Sequence, residues 1–265
     1  MTEDHIILYD LASNKPDFAW GPNNWRVRFA LNYKGIPFKT KWVEFPDIEV
    51  KCKEKSIAPG VITSSGKEFY TLPVIWDPKT NLGVSESLRI AEYLDKTYPD
   101  TPRIVFDGIE EYDACINPLR LPDFEPVLLF VIPKVHEILN PASQDYFRRT
   151  RENRYGQKLE QFTPTGSERE ETWERVKRGF DTIDGVIQKN GGPFARGEQK
   201  NGGPFARGEQ VSFVDFAFGG YLIWFKLILG EESELWKDLV IWNDGRWGRY
   251  LERLEEYAKP RENVP

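Results

Sequence analysis

Two cysteines, two histidines and one methionine are all that this chain of 265 residues offers as thiols, imidazoles or thioethers. Cys52 and Cys115 are too few for a disulfide framework, and with His5 and His136 they form no cluster at metal-ligand spacing, so no metal is expected. Thiols this sparse suit a reducing compartment, and the cytoplasm is the expected location. An excess of positive charge is missing as well. Lys and Arg number 36 against 42 Asp and Glu, the net charge is −6, and the two signs are interspersed. That surface matches neither nucleic acid nor an anionic membrane. No early basic-then-apolar stretch reads as a signal peptide, and no apolar run is long enough to span a bilayer.

Large aromatics, in contrast, are plentiful, with nine Trp and 17 Phe. They imply aromatic cores or aromatic-walled pockets. The length suits two compact domains, each burying its own core. Residues 5–11 (His-Ile-Ile-Leu-Tyr-Asp-Leu) read as a short buried strand. A polar loop follows, and Asn23 or Asn24 can cap a helix running to about Lys34, which Gly35-Ile36-Pro37 ends. Lys39 to Phe45 alternates and predicts a second strand. Pro46-Asp47 opens a short charged helix to about Lys55, and 56–68 reads as a Pro-, Gly- and Ser-rich loop. Thr71 to Asp77 is a strand that begins at a proline, Leu82 to Val84 a fourth strand, and 85–98 an amphipathic helix. Beyond Pro102 helical periodicity dominates to Tyr257, broken or kinked by Pro118, Pro122, Pro126 and Pro133. The segment 212–229 is apolar all round and belongs at the core of the second domain, with Ser212 and Asp215 forming a capping box. The fold class is therefore α/β plus all-α. A βαβαββα domain over 1–100 precedes a helical bundle domain over 107–260.

Lys-Asn-Gly-Gly-Pro-Phe-Ala-Arg-Gly-Glu-Gln occurs at 189–199 and again at 200–210. Two copies do not make a repeat fold, which needs three or more stacked units. The second copy is expected to take the connecting path into Ser212. The first is expected to bulge, since doubling a loop costs only about 0.6 kcal/mol.

Three features can meet around one small ligand. Pro73 opens a strand, where it lacks a ladder donor and where a cis bond after Leu72 is tolerated; a cis bond would turn the Leu72 backbone outward to pair with a peptide. Glu86-Ser87 stands at a strand-to-helix junction, where free amides and the positive helix end favour a carboxylate. There the Ser87 hydroxyl can donate to the carboxylate and Glu86 can receive an α-ammonium. Phe18 to Trp25 forms a loop ending at a helix N-terminus, where a thiolate is favoured.

Leu72-Pro73, Glu86-Ser87 thirteen residues later and Ile90-Ala91-Glu92-Tyr93-Leu94, in this frame of elements, resemble the glutathione transferase superfamily. Ala19-Trp20-Gly21-Pro22-Asn23, with Ala30 to Gly35 and Trp42-Val43-Glu44, looks like the fungal etherase-related members, which are serine-type. The resemblance covers essentially the whole chain. It implies a thioredoxin-like domain with glutathione as co-substrate and no metal. Leu72 and Pro73 would hold the cysteinyl backbone, Glu86 and Ser87 the γ-glutamyl end, and Trp20 would belong to the same site. It also implies a cytoplasmic homodimer with a role in detoxification. The related enzymes usually carry serine where this chain has Gly21, so the hydroxyl that would donate to the sulfur is missing. Amides at the start of the first helix, the side chain of Asn23 or Asn24, or Tyr9 could substitute. A cysteine mechanism is disfavoured, with Cys52 read as structural. Phe18, Phe124, Phe130 and Trp224 are the candidates to line a cleft for a hydrophobic or aromatic second ligand. Conjugation of glutathione to an aromatic electrophile is the expected activity. Its alternative is a ligandin-type carrier of phenolic compounds that keeps a slow glutathione site.

Overall fold

The structure, a computed structural model, describes residues 5–106, 122–189 and 205–259. Strand β1 (Ile6–Leu11) is the centre of gravity of the first domain. It pairs parallel with β2 (Phe38–Val43), residue for residue from Ile6↔Phe38 to Leu11↔Val43. On its other side β5 (Val74–Asp77) runs antiparallel, with Leu8 opposite Ile75, and β6 (Leu82–Ser85) continues antiparallel from β5, giving the order β2-β1-β5-β6.

A strand alternates its side chains between two faces, so an apolar run such as Ile6-Ile7-Leu8-Tyr9 demands cover on both. Ile6 and Leu8 join the larger core beneath α1 (Pro22–Lys34) and α3 (Ser87–Thr97). Tyr9, Val74 and Val43 face a smaller cluster with Ile48 and Cys52 of α2 (Ile48–Glu54). A 3-10 turn, Phe45–Asp47, leads into α2. Asp10, fully buried, ties the α1 layer to the sheet. Arg28 Nε donates to its carboxylate at 2.7 Å and Arg28 Nη2 to Thr40 Oγ1 at 2.8 Å. The expected βαβαββα order, which is the thioredoxin-like arrangement, is present. The segment read as a plain loop, however, contains a two-strand hairpin of β3 (Val61–Ile62) and β4 (Glu68–Phe69).

Helix α1 begins two to three residues earlier than the Asn23-Asn24 signal suggested. Gly21 is the N-cap and Pro22 the first helical residue, its fixed φ suited to that position. Asn24 does not cap; its Nδ2 donates to the Tyr9 carbonyl at 3.0 Å and pins the helix start to β1. Gly35, at φ 66°, closes the helix in the left-handed conformation.

The second domain is helical: α4 (Val127–Glu137), α5 (Pro141–Tyr155), α6 (Gly166–Lys189), α7 (Phe213–Leu229) and α8 (Glu234–Glu255), the last interrupted by non-helical backbone at Trp242–Gly245. Helix α7 is buried on nearly every side, as its sequence demanded. It packs against α1, with the Phe29 and Phe216 rings stacked at 5.8 Å. The approach is close enough that a Cβ on Gly220 would fall 2.5 Å from the Pro22 carbonyl oxygen, so only glycine fits there. One hydrophobic core runs continuously through both domains.

Asp215 reaches back to cap α7, accepting from the Ser212 amide at 2.7 Å and the Ser212 hydroxyl at 2.8 Å. The first copy of the duplicated segment lies outside the described residues beyond Lys189. The described end of the second copy, 205–210, buries Phe205 and Ala206 and leads into Ser212. Among the described residues no helix is long and apolar enough to cross a membrane, and no group of His, Cys, Asp and Glu could hold a metal ion.

Candidate functional site

A cleft of about 660 Å³ opens between the two domains. Its sheet-domain wall holds Leu11, Trp20, Pro22, Asn23, Thr71 and Leu72; its helical wall holds Ile132, Tyr146, Phe147, Arg151, Tyr221 and Trp224. The position of each side chain follows from the local fold. β1 ends at Leu11, so the loop to α1 lies at the carboxyl end of the central strand, where open sheets present ligands. Pro22 and Asn23 then place the first turn of α1, with its unpaired amides, on the cleft wall.

The bond between Leu72 and Pro73 is cis, immediately ahead of β5. Leu72 lines the cleft while Pro73 is buried behind it. Across from Thr71 stands Glu86, whose Oε1 accepts from the Thr71 hydroxyl at 3.3 Å. Glu86 is the N-cap of α3 with φ 72° and ψ 123°, a conformation that L side chains avoid and that functional sites retain. Its carboxylate has no cationic partner among the described residues. Ser87, the first helical residue, makes no side-chain hydrogen bond among them. The junction therefore presents an unpaired carboxylate, a hydroxyl and the free amides of a helix start side by side. That donor–acceptor set fits a zwitterionic amino-acid head.

Gly21 has ordinary extended backbone (φ −66°, ψ 127°) and lies at the entrance of α1. A Cβ there would sit 3.0 Å from Asn24 Oδ1. The two asparagines part company at this point: Asn23 is exposed on the cleft wall, whereas Asn24 is buried and committed to Tyr9. Tyr9 itself is buried in the sheet, 3% exposed, with the Lys41 ammonium over its ring.

The aromatic candidates divide as well. Trp20 and Trp224 line the cleft. Phe124 does not; it is enclosed by Phe180, Tyr221 and Phe225, with ring centroids 5.3–6.4 Å away, as core of the helical domain. Phe130 is likewise core, against Trp173. Phe18 stands outside the lining, half-buried beneath Lys15. Helical spacing cannot say which ring of an aromatic-rich segment turns outward, and here Phe180 of α6 and Phe225 of α7 enclose Phe124 between them. What sequence reasoning missed is the contribution of α5. Phe147, Arg151 and Tyr155 recur every fourth residue and, with Tyr146 and Arg154, form one face on the cleft. That i, i+4 recurrence was the available signal.

Cys52 is buried in the small cluster behind the sheet, and desolvation pushes its thiol up to about 11. A thiol held this far above neutral pH is a poor nucleophile. In a Cys115→Ser background, native protein is expected to react negligibly with a disulfide reagent over minutes and completely once unfolded, while Cys52→Ser leaves ligand binding intact. Rapid native labelling would show that Cys52 is accessible and reactive after all.

This geometry has close counterparts. A family model described as glutathione S-transferase, N-terminal domain, matches residues 20–97, and one described as glutathione S-transferase, C-terminal domain, matches residues 121–257. A glutathione S-transferase of Ceriporiopsis subvermispora, solved in complex with glutathione, is 40% identical, with 98% of this chain and 99% of that one covered and a TM-score of 0.82. Glutathione transferase GSTFuA3 from Phanerochaete chrysosporium is 36% identical over 98% of each chain, with a TM-score of 0.84. The glutathione S-transferase-like protein ustS of Aspergillus flavus is 28% identical over 98% of this chain and 95% of its own. The chain belongs to the glutathione S-transferase family.

Proposed function

We propose that the protein binds glutathione along Leu72, Pro73, Glu86 and Ser87 and transfers it to a hydrophobic aromatic electrophile held in the same cleft. One observation carries the reading: the backbone edge at Leu72, ahead of the cis Pro73, and the aromatic face of α5 and α7 line a single cavity of about 660 Å³. Glu86 receives the α-ammonium, Ser87 and the α3 amides receive the α-carboxylate, and the Leu72 backbone pairs with the cysteinyl unit. The sulfur then reaches the start of α1, beside Trp20, Gly21 and Asn23. There the helix amides and the Asn23 side chain stand in for the hydroxyl that etherase-related enzymes carry at position 21, and they favour the thiolate. In this reading the protein works as a cytoplasmic homodimer. Calorimetric titration with glutathione, followed by steady-state rates with chlorodinitrobenzene and an isothiocyanate, tests it. Absence of glutathione binding at millimolar concentration ends the proposal, and a monomer by light scattering ends the dimer.

Gly21 supports a second reading, a carrier of phenolic ligands whose conjugation is slow. Gly21→Ser tests whether the missing hydroxyl is what slows conjugation. The backbone at this position accepts serine, with Asn24 Oδ1 giving way by a few tenths of an ångström from its 3.0 Å approach. A restored hydroxyl donating to a charged sulfur contributes about 1–3 kcal/mol, so turnover is expected to rise about tenfold or more, with a lowered thiol pKa. An unchanged rate and an unchanged pKa would place the missing step elsewhere.

A further inference from the structure

Among the described residues, two guanidinium groups on the helical wall have no acidic partner. Arg151 and Arg154 lie three residues apart on α5, on the face that lines the cleft. Arg151 Nη1 donates only to the Thr150 hydroxyl, at 3.1 Å, and its guanidinium lies 4.4 Å from the Phe147 ring centroid. Arg154 lies over Tyr155 at 5.6 Å. Neither pairs with a carboxylate among the described residues. Acids are at hand, yet they are used elsewhere. Glu152 and Glu160 both go to Arg148, at 3.2 and 2.7 Å. Of the carboxylates in the cleft lining, Glu49 is held by Lys53 at 2.6 Å and Glu68 accepts from Tyr70 at 3.0 Å.

A half-buried cation beside another cation is costly unless something of opposite charge answers it. Burial and the neighbouring Arg154 both hold Arg151 below its ordinary pKa. A second unmet group lines the same cavity: the Trp224 indole N–H is buried and has no acceptor among the described residues. The two guanidinium groups left without a carboxylate among the described residues and the unpartnered Trp224 indole are all donors.

We propose that the second compound is an anion, an aromatic acid whose carboxylate is received by Arg151 and Arg154 while its ring lies among Tyr146, Phe147 and Trp224. The planar guanidinium fork matches a carboxylate, and stacking on Phe147 already holds the Arg151 fork in place. The inference deepens the reading above, because it names the class of compound for the cavity assigned there to the electrophile.

The test uses 2-naphthoate and its neutral counterpart 2-naphthamide, titrated by quenching of tryptophan fluorescence with S-methylglutathione present and absent. The naphthoate is expected to bind wild-type protein about tenfold more tightly than the amide, or better, with the difference shrinking as salt is added. In Arg151→Gln/Arg154→Gln the naphthoate loses about tenfold while the amide changes less than about twofold. Arg151→Lys, which keeps the charge without the fork, falls between. Equal binding of acid and amide to wild type, no binding of either at millimolar concentration, or discrimination that survives the double substitution overturns the proposal. So does a double variant that loses glutathione affinity in step with naphthoate, because the arginines would then serve the peptide. If glutathione fails to bind wild-type protein while the acid is still preferred, the transferase reading falls and the anion site stands.

Discussion

Replacing Glu86 with glycine is expected to make the protein more stable and a poorer binder of glutathione at once. At φ 72° and ψ 123° a glutamate stores backbone strain of order 1–3 kcal/mol. Glycine removes that strain but loses more freedom on folding, by roughly 0.5–1 kcal/mol. The net gain expected in urea denaturation of the free protein is therefore about 1 kcal/mol. The same change deletes the carboxylate proposed to hold the α-ammonium, which has no other cationic partner among the described residues. A charge-assisted hydrogen bond is worth about 1.5–3 kcal/mol, so the dissociation constant for glutathione should rise about ten- to a hundredfold. Ser87→Ala separates the two effects: affinity falls in the same range, while stability stays nearly level because its hydroxyl bonds to nothing in the free protein among the described residues. A Glu86→Gly protein that binds glutathione normally would remove Glu86 from the site. One that loses stability would mean the strained conformation serves the fold and not the ligand.

The parts of this molecule that could be read beforehand are those where several local signals agree. Strand β1 is apolar on both faces and bounded by polar residues, and Ser212 with Asp215 precedes an apolar run; each had one consistent interpretation. Pro73 alone was ambiguous, and its meaning came from standing thirteen residues before Glu86-Ser87 in a βαβαββα frame. Misreadings arose where tertiary contacts outbid local ones. Asn24 has the chemistry of a cap but spends its amide on the Tyr9 carbonyl, so the helix starts at Pro22. The hairpin at Val61–Ile62 and Glu68–Phe69 has strands of two residues, too short for any periodicity to register. Phe124 and Trp224 are equally aromatic, and only the packing of Phe180 and Phe225 around the former decides which one meets the cleft. The lack of a carboxylate partner for Arg151 and Arg154 among the described residues was the least legible feature. An arginine in a charged helix looks solvated until its neighbours are seen to be engaged elsewhere, as Glu152 and Glu160 are with Arg148.

The largest loss of stability is expected from Asp215→Ala. This carboxylate is fully buried and accepts four hydrogen bonds: from the Ser212 amide at 2.7 Å, the Ser212 hydroxyl at 2.8 Å, the Ala206 amide at 2.7 Å and the Tyr250 hydroxyl at 2.6 Å. It thereby joins the start of α7, the segment before it and α8 at one point. Alanine would leave these donors buried without their acceptor, at a cost of about 3–5 kcal/mol. The effect should depend on pH, and its sign follows from the environment. Desolvation outweighs the four donors and pushes the Asp215 carboxyl from its ordinary 3.8 up to about 6. Between those values the folded protein binds a proton that the unfolded chain has released, so the contribution of Asp215 falls as pH rises through that window. Measured by urea denaturation, the advantage of wild type over Asp215→Ala is expected to be about 1 kcal/mol larger at pH 5 than at pH 7. A variant within about 1 kcal/mol of wild type would show that water or local repacking satisfies the donors. An advantage that stays level from pH 5 to pH 7 would mean that the four donors, and not burial, set the charge state of this carboxylate.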